Sequence, residues 1–271
     1  MTKKIWGIAL VCSLLLAGCG GRSSGKDGAS NYIVGGSTSV QPLMEQLAEK
    51  YNESTGALVT VQGGGSSVGT KGTIDGTFDV GMVSRDLKED EAEKLDETII
   101  AWDGIIVIVN KDNPVQDLSL DQVKKIFTGE IINWKDVGGE DKEIAVVSRE
   151  EGSGTRDGFE SVVGFETAEL ISNSDIQNAT GSVISDVSGN THAIGYISLG
   201  SNSNQVKAVS IEGVKADEDT IKDGSYKLRR PFTLCVIKGS EEAEALFEFI
   251  FSDEGKAIIQ EQKYIPVERA E

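Results

Sequence analysis

The run Arg149-Glu150-Glu151-Gly152-Ser153-Gly154-Thr155-Arg156 holds the residue types best suited to chemistry in this chain. An arginine stands four residues ahead of a Ser-Gly-Thr turn, and the pattern beyond the turn predicts a helix opening at Thr155. A helix start leaves several backbone N–H groups without intrahelical partners and carries a partial positive charge, so it attracts an anion. Hydroxyls and a guanidinium beside it add donors that suit a tetrahedral oxyanion. Two further hydroxyl-rich turns, Gly36-Ser37-Thr38-Ser39 and Gly63-Gly64-Gly65-Ser66-Ser67, offer the same groups. Taken singly, each turn is also consistent with plain helix capping or a flexible loop. The glycines at 63–65 additionally allow the close backbone approach that an anion-binding nest requires.

Other chemistries fit less well. Gly64 to Gly69 has the spacing of a nucleotide-binding loop, but Thr70 stands where the lysine is needed. Gly152-Ser153-Gly154 lacks the nucleophile elbow of a serine hydrolase. The single histidine, His192, sits in a polar Asn190-Thr191-His192 loop rather than beside Ser153, which a triad would need. No His/Cys cluster suggests a zinc site, and no metal or cofactor is expected.

The elements that must carry these turns follow from periodicity. Val40, Leu43, Met44, Leu47 and Tyr51 recur at helical spacing, with Pro42 tolerated in the first turn. Strands are predicted over 57–62, 78–82, 98–101, 104–110, 143–148, 193–198, 206–211 and 232–237. Helices are predicted over 67–75, 88–97, 119–127, 155–163, 240–252 and 254–260, the third opened by a capping box at Ser119-Leu120-Asp121-Gln122. The nearly continuous apolar run at 104–110 suits a parallel strand covered on both faces. Alternation of strand and helix makes the class α/β, with mostly parallel sheets. Such sheets bind ligands at the carboxyl ends of their strands, and each of the three turns follows a strand or coil and precedes a helix.

The chain has 271 residues and a formal charge of −18 at pH 7, which disfavours nucleic acid as a partner. That charge does not forbid an anion, because its field is screened over about 8–10 Å while donors act in contact. Lys3 and Lys4 followed by the apolar run 5–16 form a targeting segment, and Leu16-Ala17-Gly18-Cys19 resembles a bacterial lipobox. Residues 1–19 are therefore expected to be a lipoprotein signal peptide, with Cys19 lipidated as the mature N-terminus. Residues 20–30 are Gly/Ser-rich and should act as a flexible tether. With Cys19 acylated, Cys235 would be the one free thiol of the mature chain, in an apolar run that predicts burial.

Taken together, these turns resemble those of the phosphate-binding lipoproteins of bacterial phosphate ABC transporters, a family with a type II periplasmic-binding-protein fold. The motifs at 36–42, 62–67, 79–85, 127–134, 149–155 and 193–196 fall in the family's order along essentially the whole mature chain. The resemblance implies a monomeric receptor of two lobes, 31–104 with 228–271 and 105–227, joined by crossing strands. These would close on dehydrated phosphate at the outer face of the cytoplasmic membrane and deliver it to permease subunits, without any catalysis. It implies phosphate contacts from Thr38, Ser39 and Ser66 in one lobe and from Arg149, Ser153, Gly154 and Thr155 in the other, with Glu151 orienting the arginine. A receptor for sulfate or another tetrahedral oxyanion is the nearest alternative; a phosphoester hydrolase or a surface adhesion or sensing protein lies further off.

One departure bears on selectivity. Many relatives carry an aspartate that accepts a hydrogen bond from protonated phosphate and so rejects sulfate, but here that place holds Ser84-Arg85 followed by Asp86. The acceptor is expected from Asp103 or Asp86, or from Ser84 in their stead, with Arg85 as a further anion-binding cation.

Overall fold

The computed structural model describes residues 31–269. The expected signal peptide, Cys19 and the tether at 20–30 lie outside the described residues. The strands are β1 (Asn31–Gly36), β2 (Leu58–Gly63), β3 (Val80–Val83), β4 (Leu95–Asn110), β5 (Asp117–Leu118) and β6 (Ala145–Arg149). They continue with β7 (Asp175–Gln177), β8 (Ala193–Ser198), β9 (Val206–Ala208), β10 (Ser210–Ile211), β11 (Arg229–Ile237) and β12 (Ile265–Pro266). The α-helices are α1 (Gln41–Thr55), α2 (Ser66–Ile74), α3 (Glu89–Ala92), α4 (Leu120–Phe127) and α5 (Gly154–Val163). After them come α6 (Thr180–Gly189), α7 (Glu218–Lys222), α8 (Glu244–Phe251) and α9 (Asp253–Glu261).

The main sheet runs β2-β1-β3-β11-β4-β8-β6-β7. Its two ends are parallel, β1 pairing with β2 and β3, and β6 with β7 and β8. Its centre is antiparallel, because β4 and β11 run past each other between the lobes, with Arg230 opposite Asp103. Two large hydrophobic cores flank this crossing. One gathers apolar residues from Ile105 to Leu228, and the other combines Tyr32 to Ala101 with Phe232 to Tyr264. The protein is thus a two-lobed α/β structure.

Local sequence explains the elements that carry the turns. Helix α1 buries Leu43, Met44, Leu47, Ala48 and Tyr51 and stops at Gly56, whose left-handed φ of 72° lets its N–H close on the Asn52 carbonyl. Helix α4 has the capping box read from the sequence, with Gln122 N–H donating to Ser119 Oγ at 3.0 Å and the Gln122 side chain accepting from Ser119 N–H at 2.9 Å. Cys235 is buried, and burial pushes its thiol up to about 12.

Several expectations need correction. The separate strands at 98–101 and 104–110 are one 16-residue strand, β4. Asp103 and Gly104 do not break it, since the carboxylate is neutralised by Arg230 and Gly104 gives room to Ile221, whose Cδ1 would lie 2.6 Å from an added Cβ. The run at 104–110 pairs antiparallel with β8 and β9; an apolar run reports burial on both faces, not strand direction. The helix expected over 88–97 shrinks to α3, because Leu95 onward pairs with β11 and tertiary pairing outweighs local propensity. The strand expected over 206–211 splits between β9, which pairs with β4, and β10, which pairs with β5.

Candidate functional site

Four helix starts meet between the lobes. The turn ahead of α1 brings Ser37, Thr38 and Ser39, and α2 begins at Ser66. From the other lobe, α5 begins at Gly154 and α6 at Thr180. The contacts between them are short. Ser39 Oγ lies 2.7 Å from Thr155 Oγ1 and 3.2 Å from Thr180 Oγ1, and Thr38 Oγ1 lies 3.4 Å from Thr180 Oγ1. Ser37 Oγ donates to Ser84 Oγ at 2.9 Å, and Ser66 Oγ lies 3.3 Å from Ser84 Oγ. Ser39, Ser66, Ser84, Ser153 and Thr155 are all buried. Converging helix starts aim unpaired N–H groups and partial positive charge at one volume, an arrangement that favours an anion.

Arg149 supplies the full charge. It ends β6, is 2 % exposed, and takes its position from Tyr196, whose hydroxyl accepts the Arg149 N–H at 3.3 Å. Tyr196 is itself fixed by stacking on Phe159 at a centroid distance of 4.0 Å. The guanidinium reaches Thr38 Oγ1 through Nη2 at 3.1 Å and Thr180 Oγ1 through Nη1 at 3.4 Å. Glu150 holds it from behind, accepting from Nε at 2.8 Å and from Nη2 at 2.9 Å. The residue that orients the arginine in this structure is therefore Glu150; Glu151 is exposed. Glu150 directly follows the strand end, whereas Glu151 lies in the turn beyond it and faces solvent.

The other arginines are committed elsewhere. Arg156 donates to Glu160 Oε1 at 2.6 Å and to the Arg149 carbonyl at 2.9 Å. Arg230 grips Asp103 through Nε at 3.1 Å and Nη2 at 2.9 Å, and its Nη1 donates to the Ser84 carbonyl at 3.4 Å. Ser153 Oγ caps α5 by accepting from Arg156 N–H, so its hydroxyl is not poised as a nucleophile. His192 is half-buried at the turn before β8, where its carbonyl accepts from Trp134 Nε1 at 2.8 Å.

Of the four residues considered for selectivity, only Ser84 has its side chain among the cleft hydroxyls. Asp86 is exposed. Asp103 is fully buried, with Oδ1 accepting from Ser198 Oγ at 2.8 Å and Oδ2 taken by Arg230. Burial pushes the Asp103 carboxyl up to about 6, while Arg230 and Ser198 pull it back. Arg85 turns away to Glu91, to which it donates from Nη1 at 2.7 Å and Nη2 at 3.0 Å. Burial alone would raise Glu91, but hydrogen bonds from Arg85, Thr70 and the Lys88 N–H prevail and hold it at about 2.

This shift sets a pH dependence. Glu91 is depressed in the folded state, so its contribution to stability is present above the ordinary glutamate value of 4.5 and is lost as pH falls toward about 2. In Glu91→Gln, urea melts across this range should show a shallower acid-side loss than the wild type.

Sequence reasoning missed Thr180 and Ser37. Thr180 opens α6, an element that has only a weak helical pattern, and the hydroxyl in Asn178-Ala179-Thr180-Gly181 was its one signal. Ser37 was visible in the Gly36–Ser39 turn, but its tie to Ser84 is a tertiary contact.

The sequence profile of the PBP superfamily domain matches residues 23–254. The phosphate-binding protein PstS of Bacillus subtilis is 34% identical over 259 residues, covering 90% of this chain and 84% of the relative. The chain belongs to the PBP superfamily and, within it, to the PstS family. The PstS of Staphylococcus haemolyticus is 35% identical over 92% of this chain and 87% of its own length. Among solved structures, a phosphate ABC transporter substrate-binding protein of Clostridium perfringens with bound phosphate is 43% identical, with a TM-score of 0.85 over 88% of this chain and all of that one. An ABC-type phosphate transport receptor of Vibrio cholerae is 38% identical, with a TM-score of 0.73 over 87% of this chain and 99% of that one.

Proposed function

We propose that this protein is a phosphate receptor of an ABC transporter, lipid-anchored through Cys19 at the outer face of the cytoplasmic membrane and acting as a monomer. Its lobes, 31–104 with 228–271 and 105–227, close on inorganic phosphate and present it to the permease subunits. The observation that carries this reading is the meeting of four helix starts with the Arg149 guanidinium between the lobes. A desolvated anion needs a donor for each lone pair it loses to burial. Thr38, Ser39 and Ser66 supply hydroxyl and N–H donors from one lobe. Arg149, Thr155 and Thr180 answer from the other, with the Gly154 N–H and the Ser153 hydroxyl; the Ser153 N–H is already given to the Glu150 carbonyl at 3.2 Å. The arrangement binds and releases; among the described residues no nucleophile or base is placed to act on the ligand.

Calorimetric titration with phosphate, sulfate and arsenate tests the reading. Saturable phosphate binding at micromolar concentration or below is expected, with sulfate much weaker; heat from sulfate alone would replace phosphate as the cargo.

Selectivity falls to Ser84. A hydroxyl both accepts and donates, so Ser84 Oγ is suited to accept a hydrogen bond from the P–OH of HPO4²⁻, a donor that sulfate lacks. Ser84→Ala should narrow the preference for phosphate over sulfate by about tenfold, the value of one buried hydrogen bond. Competition titration reads this directly. Closure itself depends on Gly154: an added Cβ would lie 2.3 Å from Ser66 Oγ and 2.7 Å from Ser84 Oγ, both in the opposite lobe. Gly154→Ala should therefore weaken phosphate by about tenfold or more while its thermal midpoint without ligand stays close to wild type.

A further inference from the structure

Arg85 makes a contact that anion binding does not require. Its Nη1 donates to Glu91 and to the Asp86 carbonyl, and its Nη2 donates to Glu91 and to Ser67 Oγ. That accounts for four of the five guanidinium N–H groups within one lobe. The fifth, on Nε, faces Asp157 Oδ2 across the cleft at 2.9 Å, a charge pair without hydrogen-bond alignment. Asp157 stands on α5, one turn beyond the Ser153–Thr155 segment at the site. Beside it, Ser67 N–H donates to the Gly152 carbonyl at 3.1 Å, again from one lobe to the other. The Arg85 side chain is 7 % exposed and that of Asp157 30 % exposed.

We infer that Arg85 is a positioning residue, held ready by Glu91, that captures Asp157 when the lobes close and so slows ligand release. The inference rests on the receptor reading above. Glu91 fixes the guanidinium before closure, so little side-chain entropy is left to lose when Asp157 arrives. Asp86 and Glu150 are the other acids nearby. Asp86 offers only its carbonyl to Arg85, and Glu150 is occupied by Arg149.

Asp157→Asn separates this role from simple electrostatics. Removing a carboxylate near an anion site should, by charge alone, tighten anion binding. A latch predicts the opposite: release of phosphate about tenfold faster in stopped flow, with association changed less than about twofold. Lobe separation is followed in parallel by spin labels on exposed Ser54 and Ala168, using the full chain in wild-type and Asp157→Asn forms. At saturating phosphate the variant should show a larger open fraction than the wild type. Release unchanged or slower in Asp157→Asn overturns the latch. Failure of the receptor reading looks different, since the wild type itself would then show no saturable phosphate signal. In that case the label distances alone judge the latch, and equal distances in the two proteins reject it.

Discussion

Arg149→Ala should weaken phosphate binding by about 10²–10³-fold, roughly 3–4 kcal/mol, while the protein still folds. The size follows from what the side chain does. It is buried, it is the cation whose guanidinium reaches hydroxyls of both lobes, and its N–H groups meet Thr38 and Thr180 rather than only a structural carboxylate. Arg85, Arg156 and Arg230 cannot substitute, since each is held by its acid away from Thr38 and Thr180, whereas Arg149 reaches both while paired with Glu150. Arg149→Lys should recover only part of the loss, because an ammonium cannot bond Glu150 through a fork while still reaching both threonines. Calorimetry at constant ionic strength measures both variants, and equal affinity in Arg149→Ala and wild type would remove the arginine from the site.

Arg230→Met should cost about 3–5 kcal/mol of stability, the usual result of leaving one member of a buried ion pair alone. Asp103 would then keep Ser198 as its side-chain partner at full burial. The effect depends on pH with a definite sign. The Asp103 carboxyl already sits at about 6, above its ordinary 3.8, because burial penalises the charge. Losing Arg230 raises it further, so the folded variant prefers the protonated acid. Its deficit should be smallest near pH 4, where that acid is tolerated, and should grow as pH rises through the folded value. Urea unfolding at several pH values checks this. The double replacement Asp103→Leu with Arg230→Met should be more stable than Arg230→Met alone, since no buried charge is left unpaired.

The site was more legible than its wiring. Helix starts are local events written in capping residues and periodicity, so the turns at Ser37–Ser39, Ser66 and Ser153–Thr155 could be read before any contact was known. Which arginine faces the cleft is a tertiary matter. Arg85 follows Ser84 directly, yet Glu91 draws it to the side, and no spacing rule distinguishes that from an anion contact. Glu150 and Glu151 are equivalent by composition, and only the turn that opens after Glu150 separates them. Asp103 looked like a free acceptor because its partner lies 127 positions away in the sequence, on β11. The same distance hid the continuity of β4: a charged residue and a glycine read as a break until Arg230 is placed opposite. Thr180 was lost with its helix, whose Gly- and Ser-containing sequence has little helical propensity of its own.

The proposed receptor places phosphate where four helix starts and Arg149 meet. Arsenate shares the shape and charge of phosphate and scatters anomalously, so a crystal grown with saturating arsenate locates the ligand without ambiguity. That placement predicts a single strong anomalous peak within hydrogen-bond distance of Arg149, Thr38, Ser66 and Thr155. A peak elsewhere, or none between the lobes under saturating arsenate, would contradict it.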